Sequence, residues 1–110
     1  MSTLEELLKL DGVVAAGEFR PDGSLAGFES YVDMSSGFAT MAAQFCATVT
    51  MLFNTLAPAF QVLGGGMEWT PQQGWAYRGG DYTVVIGGYR GVFAETAKAD
   101  VDTLFDALIG

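Results

Sequence analysis

The order of apolar and polar positions divides the chain into three helices and several short strands. A short helix is predicted over residues 3–10, because Ser2 and Thr3 each precede a Glu by three residues, which is the capping-box pattern of a helix start. Two apolar segments, Val13–Phe19 and Leu25–Ser30, follow on either side of a Pro-Asp-Gly turn. Turn chemistry between two apolar runs predicts a β-hairpin.

The second helix is predicted to be long, from residue 33 to residue 63. Its large apolar side chains recur at steps of three and four residues, namely Phe38, Met41, Ala42, Phe45, Val49, Leu52, Phe53 and Leu56. The other face carries small neutral residues, namely Ser36, Thr40, Ala43, Ala47, Thr50 and Asn54. We expect the large side chains to pack on the chain's own sheet and the small face to meet another backbone. Pro58 is predicted to end or kink the helix near Thr55.

After three consecutive glycines the apolar period changes to two, which is the period of strands. Strands are predicted at residues 67–70, at Gly74–Arg78 and at Tyr82–Gly87, while residues 89–95 are ambiguous between a strand and a loop. Apolar spacing of three and four residues predicts a closing helix over 101–109. Strands in hairpins with segregated helices favour an α+β fold, with a mainly antiparallel five-stranded sheet in one domain spanning residues 1–110.

The long helix carries no charge although the chain as a whole is acidic. Residues 34–67 contain no Asp, Glu, Lys or Arg, yet the net charge is −8. Such a helix is either enclosed within one monomer, inserted in a membrane, or covered by another chain. Five strands and two short helices seldom enclose a helix on all sides. Gln44, Asn54 and several threonines, without basic flanks, make a poor membrane span. The pattern therefore favours a face for self-association.

Composition excludes several classes of function. Five Lys and Arg residues against 13 acids argue against binding nucleic acid or an anionic membrane surface. The absence of His removes the commonest general base and metal ligand. Cys46 is the only cysteine, so no internal disulfide forms, and a buried hydrophobic role is expected for it. The first residues are acidic where a signal peptide is basic, so a cytoplasmic protein is expected.

No residue pattern in the chain predicts catalysis, cofactor binding or a metal site. Three glycines at 64–66 follow a helix and precede a strand, the reverse of a phosphate-binding loop. The acids Glu68, Asp81 and Glu95 are expected to be solvated. The aromatic residues after the glycines fit core packing or partner docking, and the predicted docking set is Trp75, Tyr77 and Arg78.

Two short motifs stand at the first and last predicted hairpins. Residues 7–17 read LLKLDGVVAAG and lead to Pro21-Asp22-Gly23, and residues 78–86 read RGGDYTVVI. The first motif resembles the first strand and hairpin of the roadblock/LC7 family, and the second is similar to its last hairpin. This family includes dynein light chains, a bacterial gliding-motility regulator of a Ras-like GTPase and many small prokaryotic proteins. The likeness extends over essentially the whole chain. Family members often carry charges on the long helix, and this chain carries none.

The resemblance implies a three-layer α/β/α fold, with one long central helix on one face of the sheet and two short terminal helices on the other. It also implies a homodimer or heterodimer built from the long helix and the strand after it. With the small helix face described above, the predicted interface comprises Ser36, Thr40, Ala43, Ala47, Thr50, Asn54, Met67, Glu68, Trp69 and Thr70. By resemblance, the protein is a non-enzymatic scaffold or regulatory adaptor whose partner is a Ras-like GTPase or a larger enzyme complex. The alternative is a sensor that binds a small molecule between sheet and helix.

Overall fold

A computed structural model describes residues 2–109; Met1 and Gly110, the ends of the predicted domain, lie outside the described residues. The elements follow in the order α1 (Leu4–Leu8), β1 (Val13–Phe19), β2 (Leu25–Ser30), α2 (Ser36–Leu63), β3 (Gly74–Arg78), β4 (Tyr82–Gly87), β5 (Arg90–Glu95) and α3 (Val101–Ile109). The five strands form one sheet in the order β2-β1-β5-β4-β3, and every neighbouring pair is antiparallel. The predicted α+β class and the three-layer arrangement are confirmed.

The short terminal helices cover one face of the sheet. Leu7 and Leu8 of α1 and Leu104 and Leu108 of α3 pack with Val85 in the larger buried cluster. The predicted N-terminal cap is present, because the Thr3 hydroxyl accepts from the Glu6 N–H and the Glu6 carboxylate accepts from the Thr3 N–H. Both helices are too short to be stable alone, so burial on the sheet holds them.

Arg90, at the start of β5, fastens the two ends of the chain to this face. Its guanidinium is buried and donates hydrogen bonds to the backbone carbonyls of Ser2 and Leu108. The Leu108 carbonyl belongs to the last turn of α3, where unpaired carbonyls carry partial negative charge. The arginine therefore satisfies a helix end while it joins α3 to the N-terminal segment.

The long helix covers the opposite face. A 28-residue helix is about 42 Å long at 1.5 Å per residue, and the molecule measures 45 × 28 × 28 Å, so α2 runs along its whole length. Ser35 caps its first turn by accepting a hydrogen bond from the Phe38 N–H at 3.1 Å. The helix continues through Pro58 to Leu63, so the prediction that it ends near Thr55 is wrong. Pro58 lies on an exposed side, where the carbonyl that loses its donor can bind water.

One predicted strand is wrong and one ambiguous segment is a strand. Residues 67–70 are irregular, whereas Arg90–Glu95 forms β5 in the middle of the sheet. The backbone of the 67–70 segment makes hydrogen bonds with the Gly64 carbonyl and with the side chain of Gln61 in α2, and not with a strand. β5 was hard to recognise because Gly91, Val92 and Ala94 are all buried, so it lacks the alternation of a half-exposed strand.

Candidate protein-interaction surface

The two faces of α2 are reversed relative to the prediction. Ala39, Ala43 and Ala47 are buried, and the last two pack in the smaller buried cluster with Phe19 of β1 and Ile86 of β4. Small side chains let the helix backbone approach the sheet closely, which is why this face and not the larger one is inside. Of the predicted interface residues, Ala43, Ala47 and Thr50 are therefore internal to the monomer, and their assignment to an intermolecular interface is corrected.

Most of the large apolar side chains of α2 are exposed, although the Phe38 ring also meets Phe93 of β5 edge to face and the Phe53 ring meets Trp75 of β3. We call the six residues on the outward side the α2 seam: Phe38, Met41, Phe45, Leu52, Leu56 and Leu63. Phe45 and Leu52, near the middle of the helix, are 63% and 58% exposed. Contiguous apolar surface on this scale is uncommon on monomeric proteins and marks an interaction site.

The remaining residues of the predicted interface are exposed but do not belong to the seam. Ser36, Thr40 and Asn54 are exposed residues of α2 outside the seam. Met67, Glu68, Trp69 and Thr70 are exposed in the irregular segment after the helix. Sequence reasoning missed that the seam itself is the open face. The feature of the sequence that could have identified this face is the size of the seam side chains, which are too large for close contact between helix and sheet.

The side chain of Gln61 holds the 67–70 segment against the end of α2. Its Nε2 donates to the Met67 carbonyl at 3.1 Å, and its Oε1 accepts from the Trp69 N–H at 2.7 Å and the Thr70 N–H at 3.3 Å. The chain reverses through Gly65 and Gly66, whose φ angles of 66° and 95° are costly for other residues. This arrangement brings Trp69 back onto the helix.

An aromatic groove lies between the second half of α2 and the segment that follows it. We define the groove by Phe53, Phe60, Glu68, Trp69, Gln72 and Trp75, and its volume is about 460 Å³. The Phe60 and Trp69 rings meet edge to face with centroids 4.9 Å apart, and the Phe53 and Trp75 centroids are 6.1 Å apart. The Trp75 indole N–H donates to the Thr50 hydroxyl at 2.9 Å, which fixes the orientation of that ring.

The predicted docking set is divided between the groove and the sheet edge. Trp75 is half-buried and lines the groove, whereas Tyr77 and Arg78 are exposed at the end of β3. Since β3 is the last strand of the sheet, its outer side has no strand beside it among the described residues. An edge strand next to exposed apolar surface is a second element able to pair with another chain.

The space between α2 and the sheet is small. The cavity there has a volume of about 60 Å³ and is lined mainly by alanines and aromatic residues, with Cys46 beside them. For comparison, an engineered apolar cavity of roughly 150 Å³ binds benzene. Burial raises the pKa of the Cys46 thiol to about 11, so it stays protonated and inert at neutral pH.

Within residues 2–109 there is no group of three or more His, Cys, Asp or Glu side chains that could hold a metal ion.

By length and composition α2 could cross a membrane, but the central helix of a globular domain meets the same criterion. In this protein one face of α2 is packed on a sheet and hydrogen-bonded to Trp75. The fold is compact and globular.

Comparison with known proteins supports the same architecture. The profile of the family described as Uncharacterized conserved protein (DUF2173) matches residues 3–109. The chain belongs to this family. A search of curated proteins found no match.

Solved structures with the same fold are distant in sequence. The gliding protein MglB of Thermus thermophilus is 15% identical, with a TM-score of 0.69 over 96% of this chain and 82% of that one. The roadblock/LC7 domain from Streptomyces avermitilis is 13% identical, with a TM-score of 0.70 over 96% and 84%. MglB in a tetrameric arrangement is 14% identical, with a TM-score of 0.71 over 94% and 76%. The chain therefore has the roadblock/LC7 fold, as the sequence motifs predicted.

Proposed function

We propose that this protein is a single-domain, non-enzymatic scaffold or regulatory adaptor of the cytoplasm that works as a homodimer. The observation that carries the proposal is the α2 seam, an apolar surface along a 28-residue helix whose six side chains are each at least 40% exposed. Water-exposed Phe45 and Leu52 are costly in a free monomer, and burial against an identical seam removes that cost.

Charge supports a second copy as the occupant of the seam. Each chain carries −8, and two such chains repel each other wherever their acidic surfaces meet. Residues 34–67 are free of charge, so α2 is the long surface on which two copies approach without that penalty. The unpaired edge of β3 lies on the same side of the molecule as the groove, and pairing there would extend the interface. The tetrameric arrangement of MglB also supports association between copies of this fold.

The partner that we propose for the dimer is a small GTPase of the Ras type or a larger enzyme complex. This proposal rests on the resemblance to roadblock/LC7 proteins. A non-enzymatic role is supported by the absence of His and by the lack of a metal-binding group within residues 2–109. The sensor alternative has less support, because a 60 Å³ cavity between sheet and helix is too small for a metabolite.

The proposal is tested by the mass of the protein in solution. Light scattering at micromolar concentration should give a dimer for the wild type and a monomer for Leu52→Glu, because a buried unpaired carboxylate is strongly unfavourable. Gln44→Glu is the matched control, since it places the same charge on an exposed position of α2 outside the seam. A monomeric wild type, or a control that dissociates as readily as Leu52→Glu, contradicts the proposal.

A further inference from the structure

The aromatic groove combines features that the α2 seam does not have. Four aromatic rings, from Phe53, Phe60, Trp69 and Trp75, line one space of about 460 Å³. Glu68 is the one charged residue among those lining it, and no Lys or Arg is present there in the described part of the chain. The groove is therefore an aromatic site with a carboxylate at its margin.

A polar atom without a partner lies at the same place. The side-chain oxygen Oε1 of Gln72 is buried and accepts no hydrogen bond from any of residues 2–109. The Gln72 oxygen is enclosed within the fold, so the accessible charged acceptor of the groove is the Glu68 carboxylate, beside aromatic faces.

Aromatic faces and a carboxylate together favour a cationic donor. The face of an aromatic ring carries negative potential and attracts a cation within about 6 Å of its centroid. A guanidinium group stacks on such rings and donates several hydrogen bonds in a planar fork. The net charge of −8 attracts cations to the surface from a distance. We propose that the groove binds an arginine side chain of the protein partner. This inference rests on the proposed adaptor function and names the chemistry of its partner.

The groove contains both tryptophans of the chain, so their two indole N–H signals in an NMR spectrum report directly on this site. The probe is a blocked tripeptide with arginine between two alanines. Its control is the same peptide with citrulline, which keeps the shape of arginine and removes the charge. Saturable shifts of the indole signals are expected with arginine, and binding about tenfold weaker with citrulline. Equal binding of the two peptides overturns the proposal.

Two variants distinguish specific binding in the groove from general attraction between opposite charges. Glu68→Gln should weaken arginine binding severalfold, because it removes the carboxylate of the groove. Glu29→Gln removes one negative charge from exposed β2, at the opposite edge of the sheet, and should leave the affinity unchanged. Equal losses in the two variants overturn the proposal.

Light scattering on the same samples distinguishes this inference from the dimer itself. A monomeric wild type that still binds arginine selectively refutes the proposed dimer and leaves the groove assignment standing. A dimeric wild type whose indole signals do not respond to the arginine peptide refutes the groove assignment alone.

Discussion

Cys46 illustrates how position decides the chemistry of a single residue. The side chain lies in the middle of α2 beside the small cavity over β1, and burial raises its pKa from an ordinary 9.0 to about 11. Burial disfavours the charged thiolate and leaves the neutral thiol untouched. The single cysteine of the chain is thus part of the core and not a reactive group.

The raised pKa predicts slow alkylation of Cys46 by iodoacetamide in the folded protein. At pH 8 the thiolate fraction should be about 100-fold lower than in the urea-unfolded chain, because the pKa differs by about two units. The rate in the folded protein should rise tenfold per pH unit towards pH 11. Since the raised pKa favours the protonated thiol in the folded state, its stabilising contribution is lost as pH rises from about 9 to about 11. Equal alkylation rates at pH 8 in the folded and unfolded protein would contradict the assignment.

At the scale of elements, α2 is held by small residues and one buried hydrogen bond. Ala39, Ala43 and Ala47 allow close contact with the sheet, and the bond from Trp75 to Thr50 ties the middle of α2 to the edge strand β3. The same indole forms one wall of the aromatic groove. The contact between helix and sheet therefore also sets the shape of the proposed binding site.

Thr50→Val tests this connection. The substitution keeps the shape and removes the acceptor, so the indole N–H loses its partner and the free energy of unfolding should fall by about 1–2 kcal/mol. Urea denaturation monitored by tryptophan fluorescence measures this change. The slope of the unfolding free energy against urea concentration should stay the same as in the wild type. Thr48→Val is the control. Its exposed hydroxyl bonds only the Gln44 carbonyl of the same helix, so its effect should stay within about 0.5 kcal/mol. Equal losses of unfolding free energy in the two variants would contradict the role assigned to the Trp75–Thr50 hydrogen bond.

At the scale of the whole molecule, charge is unevenly distributed. The 13 acids lie outside residues 34–67, while the seam within that range is uncharged. A dimer formed through the seam brings two net charges of −8 close together while its contact surface stays apolar. Electrostatics should therefore oppose the association, and burial of apolar surface should favour it.

This balance predicts that salt strengthens the dimer. Raising NaCl from about 20 to about 300 mM shortens the range of the repulsion, so the dissociation constant should fall severalfold. Sedimentation equilibrium at both salt concentrations measures it, with Leu52→Glu as a variant expected to stay monomeric throughout. A dimer that weakens in salt would instead be held by ion pairs, which the charge-free seam does not supply.

Local patterns were sufficient for most elements. The strands Val13–Phe19, Leu25–Ser30, Gly74–Arg78 and Tyr82–Gly87 have the predicted bounds, and the closing helix does as well. Alternation on β4 was also confirmed, with Val84 and Ile86 towards α2 and Val85 towards the terminal helices. These features depend on neighbouring residues, which is why periodicity and turn chemistry detect them.

The candidate site was less predictable, because it depends on which face of α2 turns inward. Both faces of the helix are free of charge, so hydropathy could not distinguish the seam from the small face. The aromatic groove joins Phe53 and Phe60 to Trp69 and Trp75 across a chain reversal that only the Gln61 hydrogen bonds explain. The unpaired Gln72 oxygen has no signature in the sequence at all.

The sequence alone determined most of the elements, the α+β class, the acidic composition and the unusual absence of charge along one helix. These are properties of neighbouring residues and of composition. Tertiary structure decided the exposed side of that helix, the burial of Ala43, Ala47 and Thr50, and the joining of four aromatic rings in one groove. The physical reason is steric. A helix that is apolar on every side packs on its sheet through the face that allows the closest approach, and its largest side chains remain outside.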